Sequence, residues 1–290
     1  MEARELLKRY QSGERNFAGV DLSGVNLKAV NLEGINLVGA NLRGSDLSRA
    51  ILTKADLSGA SLNWANLSFV KMGEAKLADA DLTKAVLSGA FLVKAKLPRA
   101  KLSGANLTAA NLRGANLWGV NLCGANLQGA NLRNAKLTGA NLNWTNLSGA
   151  RLSGAMLYGA LLSGVNLRKA FLNGVDLNGS DLNGINLSEA KLNSANLEGS
   201  NLIAANLSWA QLRWASLQGA DLSSAKLIGA SLYQANLNWA RLYRANLREA
   251  DLSEATLIGA SIEGAEFDGA KVPELTRRYF YLTLDGARKA

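Results

Sequence analysis

Residues 20–44 read VDLSG VNLKA VNLEG INLVG ANLRG, five units of five residues with Leu at the centre of each. The pattern continues along the chain, with an apolar residue at every fifth position from Phe17 to Val272 and Leu at all but five of them. Ala stands two residues before most centres, Asn or Asp directly before more than half, and Gly is concentrated two residues after. This unbroken period of five residues decides the fold.

An α-helix cannot use such a period. Five helical residues turn through about 500°, so successive Leu positions would spiral around the axis instead of forming one buried stripe. In an extended chain the Ala and the Leu, two residues apart, face the same side. In an extended chain a period of five would turn every second Leu outward, unless a turn in each unit restores the inward direction. Gly suits such a turn. The pattern predicts an all-β solenoid of short sides and turns, filled by Leu and Ala.

The run A(N/D)LxG/A resembles the repeats of the pentapeptide repeat proteins, and the resemblance covers residues 17–272. It implies a right-handed quadrilateral β-helix with four five-residue units in each coil, so that 15–272 form a solenoid of about 13 coils. The Leu-centred, Asn-rich form is similar to versions that are abundant in cyanobacteria. We expect Asn at equivalent positions of stacked coils to form side-chain ladders.

The N-terminal segment 1–13 departs from the repeat. It has the pattern of a short amphipathic helix, with Leu6, Leu7 and Tyr10 on one face and Gly13 placed to end it. A solenoid exposes an apolar cross-section at its end. We therefore expect this helix to cap the first coil.

The C-terminal segment 273–290 also breaks the period. It begins with Pro273, which cannot donate a backbone hydrogen bond to a ladder. The segment is too apolar to extend freely into water, because it carries Leu275, Tyr279, Phe280 and Leu282. Two interpretations stay open: a cap folded over the last coil, or a contact between two copies, since some members of the family dimerise through their C-terminal ends.

The net charge of +9 is concentrated in one part of the chain. No acidic residue lies between Asp81 and Asp176, and this stretch carries eleven Lys and Arg residues. Counting in coils of twenty residues places Lys94, Arg113, Arg133 and Arg151 on one side and Lys96, Arg99 and Lys136 on the next. We name these seven residues, within 84–169, the basic stripe. An acidic protein, nucleic acid and a merely solvated face are all compatible with it.

A second group of candidate binding residues combines aromatic rings with Arg. Outward positions that elsewhere are mostly small or polar are here occupied by Trp209, Arg213, Trp214, Tyr233, Trp239 and Tyr243. Trp, Tyr and Arg are enriched at binding hot spots. They also cover flat sheets by packing on neighbouring coils, so an interface and surface packing both stay open. The twenty-residue count places Trp214 one coil from Tyr233 on the same side.

The residue types present argue against catalysis. The chain has no His, which is the commonest general base and metal ligand, and its one cysteine, Cys123, excludes an internal disulfide or a Cys-based zinc site. We expect no enzyme activity, no cofactor and no metal. The N-terminus lacks the apolar run of a signal peptide, and no later stretch is long and apolar enough to span a membrane. The expectation is a cytoplasmic protein without a membrane partner.

The leading hypothesis for function is a protein-interaction or regulatory scaffold that binds a macromolecular partner through its flat faces. The alternative is a nucleic-acid-associated protein that uses the basic stripe. Mimicry of the DNA duplex, the best-known function of the family, needs a predominantly negative surface. The net positive charge disfavours it.

The two interpretations of 273–290 predict different masses in solution. A cap predicts the mass of one chain in light scattering at micromolar concentration, whereas a contact between copies predicts twice that mass. A monomer would exclude the C-terminal homodimer.

Overall fold

The computed structural model describes residues 1–274 and 276–278. The chain divides into two compact units, residues 1–166 and residues 167–290. Each unit is mostly non-helical, and helix α1 spans Ala3–Gln11. A few helical residues follow Pro273, where the N–H of Arg277 donates to the carbonyl of Pro273 at 2.9 Å. The candidate cap or dimer residues Leu275, Tyr279, Phe280 and Leu282 lie outside the described residues.

Parallel β-bridges join residues that are twenty positions apart. Each bridge lies at the position directly before a Leu centre, so four of them occur in every twenty residues. They run from Asn16–Asn36 to Asn146–Asn166 in the first unit and from Phe171–Lys191 to Asp251–Lys271 in the second. The chain in each unit therefore returns to the same register every twenty residues, in coils of four sides, as the family resemblance implies.

The Leu centres and the preceding Ala residues fill the inside of the coils. Leu57 and Ala60 are 0% exposed, and the same holds for most of their equivalents in both units. Three of the four buried polar residues donate to backbone carbonyls, as Thr145 Oγ1 does to Leu122 at 2.9 Å and Ser45 Oγ to Leu42 at 2.7 Å. Among the described residues no buried side-chain nitrogen or oxygen lacks a hydrogen-bond partner.

A β-turn forms the corner of each five-residue unit. The carbonyl of the Leu centre accepts from the N–H three residues later, at 3.0 Å from Leu57 to Ala60. The third residue of the turn has a positive φ, 65° at Gly59, and this recurs every five residues from Gly19 to Gly269. Positive φ at that residue alone is the mark of a type II turn. Gly is frequent there because it lacks the Cβ that disfavours this conformation.

Where Asn or Asp precedes the Leu, its side chain completes the backbone hydrogen bonding of the unit. In residues 126–130, four of the five N–H groups donate to backbone carbonyls at 2.7–3.0 Å. The fifth, that of Gln128, donates to Oδ1 of Asn126 at 3.1 Å. Buried or half-buried N–H groups need such partners. The preference for Asn and Asp therefore follows from a donor that the turn leaves without a carbonyl.

The predicted Asn ladders also form, at some of the coils. Nδ2 of Asn146 donates to Oδ1 of Asn126 at 3.2 Å, and Nδ2 of Asn166 donates to Oδ1 of Asn146 at 3.4 Å. The bond to the N–H two residues later recurs far more widely along the chain. Where Lys96 replaces the Asn, the residue two positions later is Pro98, which has no N–H to satisfy.

Helix α1 packs on the first coil of the first unit. Leu6 is 0% exposed, and the hydroxyl of Tyr10 donates to the carbonyl of Glu33 at 2.8 Å. Phe17, the first centre, is 3% exposed, and the Arg9 guanidinium lies 5.3 Å from its ring centroid. The helix is shorter than the 1–13 segment, and Gly13 follows it with a φ of 99°.

Replacement of Asn126 by Ala tests the role of the amide. The change removes the acceptor for the N–H of Gln128, so we expect the free energy of unfolding to fall by about 1 kcal/mol in urea titration. Asn63→Ala is the matched control, because no described residue bonds to the Asn63 side chain. Equal stability of the two variants would contradict the role assigned to Asn126.

Candidate functional site

The structure stacks three residues of the basic stripe on one side of consecutive coils. The N–H of Lys94 donates to the carbonyl of Arg113 at 3.0 Å, and the N–H of Gly114 donates to that of Arg133 at 2.9 Å. Arg113 and Arg133 therefore lie one directly over the other, as the twenty-residue count predicts. All three cationic side chains are exposed. The aliphatic part of Lys94 lies over Gly114, which has no side chain to displace it.

Two further members of the basic stripe lie close by. Lys136 is on the neighbouring side, bridged to Asn116 in the coil before and to Met156 in the coil after. Arg151 is bridged to Asn131. Both side chains are exposed, so the stripe extends around one corner of the coil.

The cations of the stripe differ in whether they have a carboxylate partner. No described carboxylate forms an ion pair with Lys94, Arg113, Arg133 or Lys136. Arg99, by contrast, donates two hydrogen bonds to Asp79, at 2.8 and 2.6 Å, and these hold the pKa of that carboxyl below its usual value. Arg168 likewise lowers the pKa of Glu189 by donating hydrogen bonds to it. Arg99 and Arg168 thus have carboxylate partners, whereas Lys94, Arg113, Arg133 and Lys136 have none among the described residues.

Three of the aromatic and Arg candidates come together in the second unit. The rings of Trp214 and Tyr233 meet edge to face, with centroids 6.3 Å apart and an interplanar angle of 87°. The guanidinium of Arg213 lies 4.9 Å from the centroid of each ring. Cation–π contacts of this kind fix a side chain at the surface.

Hydrogen bonds extend this cluster into the next two coils. The indole N–H of Trp214 donates to Oε1 of Gln234 at 2.6 Å, and Nε2 of Gln234 donates to Glu254. The hydroxyl of Tyr233 also bonds to Glu254, and this bond, with the negative charge of the carboxylate, raises the pKa of Tyr233. The exposed ring of Trp214 is therefore held in one orientation.

The remaining aromatic candidates do not join that cluster. Their units are centred on Leu207, Leu237 and Leu242, which fall on the three other sides of the coil. Each ring has its own local partner instead. Trp209 lies over Gly229 and Trp239 over Gly259, where an added Cβ would come within 2.3 Å of the ring, and the guanidinium of Arg244 lies 4.9 Å from the Tyr243 ring centroid. The six candidates are thus three separate packing contacts and one cluster.

Sequence reasoning missed three large exposed side chains next to the basic stripe. Trp118 is 48% exposed, Met156 54% and Tyr158 86%. They lie on the same side of the coil as Lys136, at equivalent positions twenty or forty residues apart. Counting in twenties from Lys136 reaches Met156, and the same count from Trp118 reaches Tyr158 after two steps, but each replaces one small or polar residue and none forms a local motif.

Acidic and nucleophilic groups are not gathered in a cleft of the described chain. No three His, Cys, Asp or Glu side chains among the described residues are placed to hold a metal ion, and Cys123 is half-buried. An open groove of about 400 Å³ has no titratable side chain among its described lining, which comprises Ala255, Thr256, Leu257, Ile258, Gly259, Pro273 and Thr276. No described helix is long and apolar enough to cross a membrane. The described candidate residues therefore present exposed cations and aromatic rings.

Comparison with known proteins confirms the family resemblance. The model for pentapeptide repeats (8 copies) matches stretches that together cover residues 21–272. The chain is 33% identical to HetL, a pentapeptide repeat protein involved in heterocyst differentiation regulation from the cyanobacterium Nostoc sp. Strain PCC 7120. That alignment covers 94% of this chain and 98% of HetL, with a TM-score of 0.33.

Two further solved structures are similar. A pentapeptide repeat protein from the Arabidopsis thaliana thylakoid lumen is 33% identical over 39% of this chain and 74% of its own, with a TM-score of 0.23. QnrB1, a plasmid-mediated fluoroquinolone resistance protein, is 16% identical over 92% of this chain and 97% of its own, with a TM-score of 0.35. No curated protein matches.

The contact between Trp209 and Gly229 predicts a specific sensitivity to substitution. Gly229→Ala forces the ring away and also places Ala at a φ of 63°, whereas Gly219→Ala has the same backbone cost with no atom within 4 Å. We expect both changes to cost about 1 kcal/mol from backbone strain, and Gly229→Ala to cost about 1 kcal/mol more in thermal unfolding. The excess should vanish in a Trp209→Ala background. Equal costs in the starting background would show that the ring does not pack there.

Proposed function

Because this chain belongs to the pentapeptide repeat family, we propose that its coils form a right-handed quadrilateral β-helix whose flat sides bind an acidic partner protein. In this proposal the protein is a non-catalytic interaction scaffold of the cytoplasm. The 1–13 segment caps one end, and 273–290 either cap the other end or join two copies. HetL, a relative at 33% identity, is involved in heterocyst differentiation regulation, which supports a regulatory role for the scaffold.

The observation that carries the proposal is the stacking of unpaired cations in the basic stripe. Lys94, Arg113 and Arg133 occupy consecutive coils about 4.8 Å apart. Like charges at that spacing repel by roughly 1 kcal/mol per pair in water before screening by salt. A surface selected for solubility alone would intersperse both signs. Carboxylates of a partner would replace this repulsion by attraction.

The cluster of Arg213, Trp214 and Tyr233 is a second contact surface in this proposal. Its side chains are already held by ring contacts and by the hydrogen bond of Trp214 to Gln234. Binding through pre-ordered side chains loses less conformational entropy than binding through mobile ones. The isolated rings of Trp209, Trp239 and Tyr243 contribute local packing instead.

Nucleic acid is the alternative partner, because Arg113 and Arg133 are free to contact phosphates. Binding to phosphates releases counterions and weakens steeply as salt rises. Band shifts with random-sequence DNA and RNA at about 50 mM and about 200 mM salt distinguish this alternative. A salt-sensitive complex that Arg113→Glu with Arg133→Glu abolishes would replace the acidic protein by nucleic acid.

Affinity capture followed by quantitative mass spectrometry tests the main proposal. We expect proteins captured from the source cell by the native chain to be depleted at least about tenfold when Arg113→Glu and Arg133→Glu are combined with Trp214→Ala. Lys28→Glu with Arg43→Glu is the matched control, since it changes the charge equally at exposed positions outside the stripe. Capture of the same proteins by all three forms would contradict the proposal.

A further inference from the structure

One side of the first unit carries alternating cations and aromatic rings. The bridges Lys96–Asn116, Asn116–Lys136 and Lys136–Met156 place these residues in one column, in four consecutive coils. We name the exposed residues of this side, Lys96, Trp118, Lys136, Met156 and Tyr158, the alternating face. Lys96 and Lys136 are two coils apart, and no described carboxylate forms an ion pair with either.

The rings form a second column beside the first. The carbonyl of Trp118 accepts from Arg99 at 2.9 Å, that of Thr138 from Gly119 at 3.0 Å, and that of Tyr158 from Gly139 at 3.0 Å. Trp118 and Tyr158 are therefore also two coils apart, and the coil between them carries Lys136. Successive coils of this side therefore present Lys96, Trp118, Lys136, and then Met156 with Tyr158.

The apolar part of this face is unusually exposed. Tyr158 is 86% exposed and Met156 54%. Trp118 is 48% exposed, and the Arg99 guanidinium lies 5.7 Å from its ring centroid. On this side of the first unit the carboxylates of Asp56 and Asp79 are paired with Lys76 and Arg99, respectively. Large exposed rings beside unneutralised cations are typical of a binding surface.

The spacing along the column distinguishes a helical partner from an extended one. Coils are about 4.8 Å apart, so the four coils present contacts at intervals of about 4.8 Å. In an α-helix, side chains three or four residues apart lie on one face and rise by about 5 Å along the axis. In an extended strand, side chains on one face repeat at about 6.7 Å, which falls out of step after one coil. A helix laid along the stacking direction matches the face coil by coil.

We propose that the alternating face is the docking site for an acidic amphipathic α-helix of a partner protein. Acidic side chains of the helix pair with Lys96 and Lys136, and its apolar side chains pack on Trp118 and on Met156 with Tyr158. The charge of the helix is set by the absence of acidic residues between Asp81 and Asp176. The inference rests on the proposed function and specifies the structural class of its partner.

A stapled helical peptide is the probe for this docking site. It carries Glu at i and i+7 and Leu at i+4 and i+11, the order that the four coils require, and its control has Gln in place of Glu. We expect fluorescence polarisation to show binding to the native full chain that weakens at least about tenfold with the Gln peptide. Trp118→Ala with Tyr158→Ala, and separately Lys96→Gln with Lys136→Gln, should each weaken it by a similar factor.

Lys101→Gln with Lys226→Gln is the matched control, because these lysines occupy the same position of their five-residue units on other sides. Failure of the native chain to bind the peptide, or equal binding by all variants, would overturn the docking site. Binding to phosphatidylcholine vesicles containing phosphatidylserine, lost in Trp118→Ala with Tyr158→Ala, would assign the face to an anionic membrane and overturn it too. If Arg113→Glu with Arg133→Glu abolishes capture of partner proteins while Trp118→Ala with Tyr158→Ala does not, the proposed function stands and the docking site falls.

Discussion

The structure depends on supplying acceptors to the backbone N–H groups of each five-residue unit. Stacked coils and the β-turn satisfy four of the five donors, and where Asn or Asp precedes the Leu its side-chain oxygen satisfies the fifth, as Asn126 does for Gln128. A unit whose N–H groups find acceptors within the unit and in the adjacent coils can be repeated without any other structural element. The Leu and Ala of the unit then fill the coil. Repetition of one locally complete unit gives each part of the chain its uniform interior.

Because the Leu and Ala of the interior determine the fold, the outward positions are free to vary. Their side chains determine the surface chemistry of the protein. Residues twenty apart become neighbours in space, so a chemical pattern invisible along the chain becomes a column on one side. Arg113 over Arg133 is one such column, and Lys96, Asn116, Lys136 and Met156 form another. Binding by such a surface needs no pocket and no titrating group. It needs only that adjacent coils present matching side chains.

The period of five predicted most of the fold and part of the candidate site. The sequence predicted the Leu and Ala core, the short helix before the first coil, the stacking of Arg113 on Arg133 and the proximity of Trp214 to Tyr233. It did not predict that Trp209 and Trp239 lean over Gly229 and Gly259, because the direction of a side chain at a positive φ depends on the corner geometry. It also missed Tyr158, since the exposure of a ring depends on what the neighbouring coils leave beside it. The sequence also predicted Asn ladders between stacked coils, but the Asn side chain more often bonds to a backbone N–H within its own unit.

Amide hydrogen exchange by NMR is the most direct test of whether the Asn before the Leu protects the N–H two residues later. Gln128 follows Asn126 by two residues and its N–H is bonded, whereas Thr138 follows Lys136 and no described residue accepts from its N–H. After correction for intrinsic rates, the account predicts that the amide of Gln128 exchanges at least about tenfold more slowly than that of Thr138, and that Asn126→Ala removes the difference. Equal exchange of the two amides in the native chain would contradict the claim that an Asn or Asp before the Leu completes the backbone hydrogen bonding of its unit.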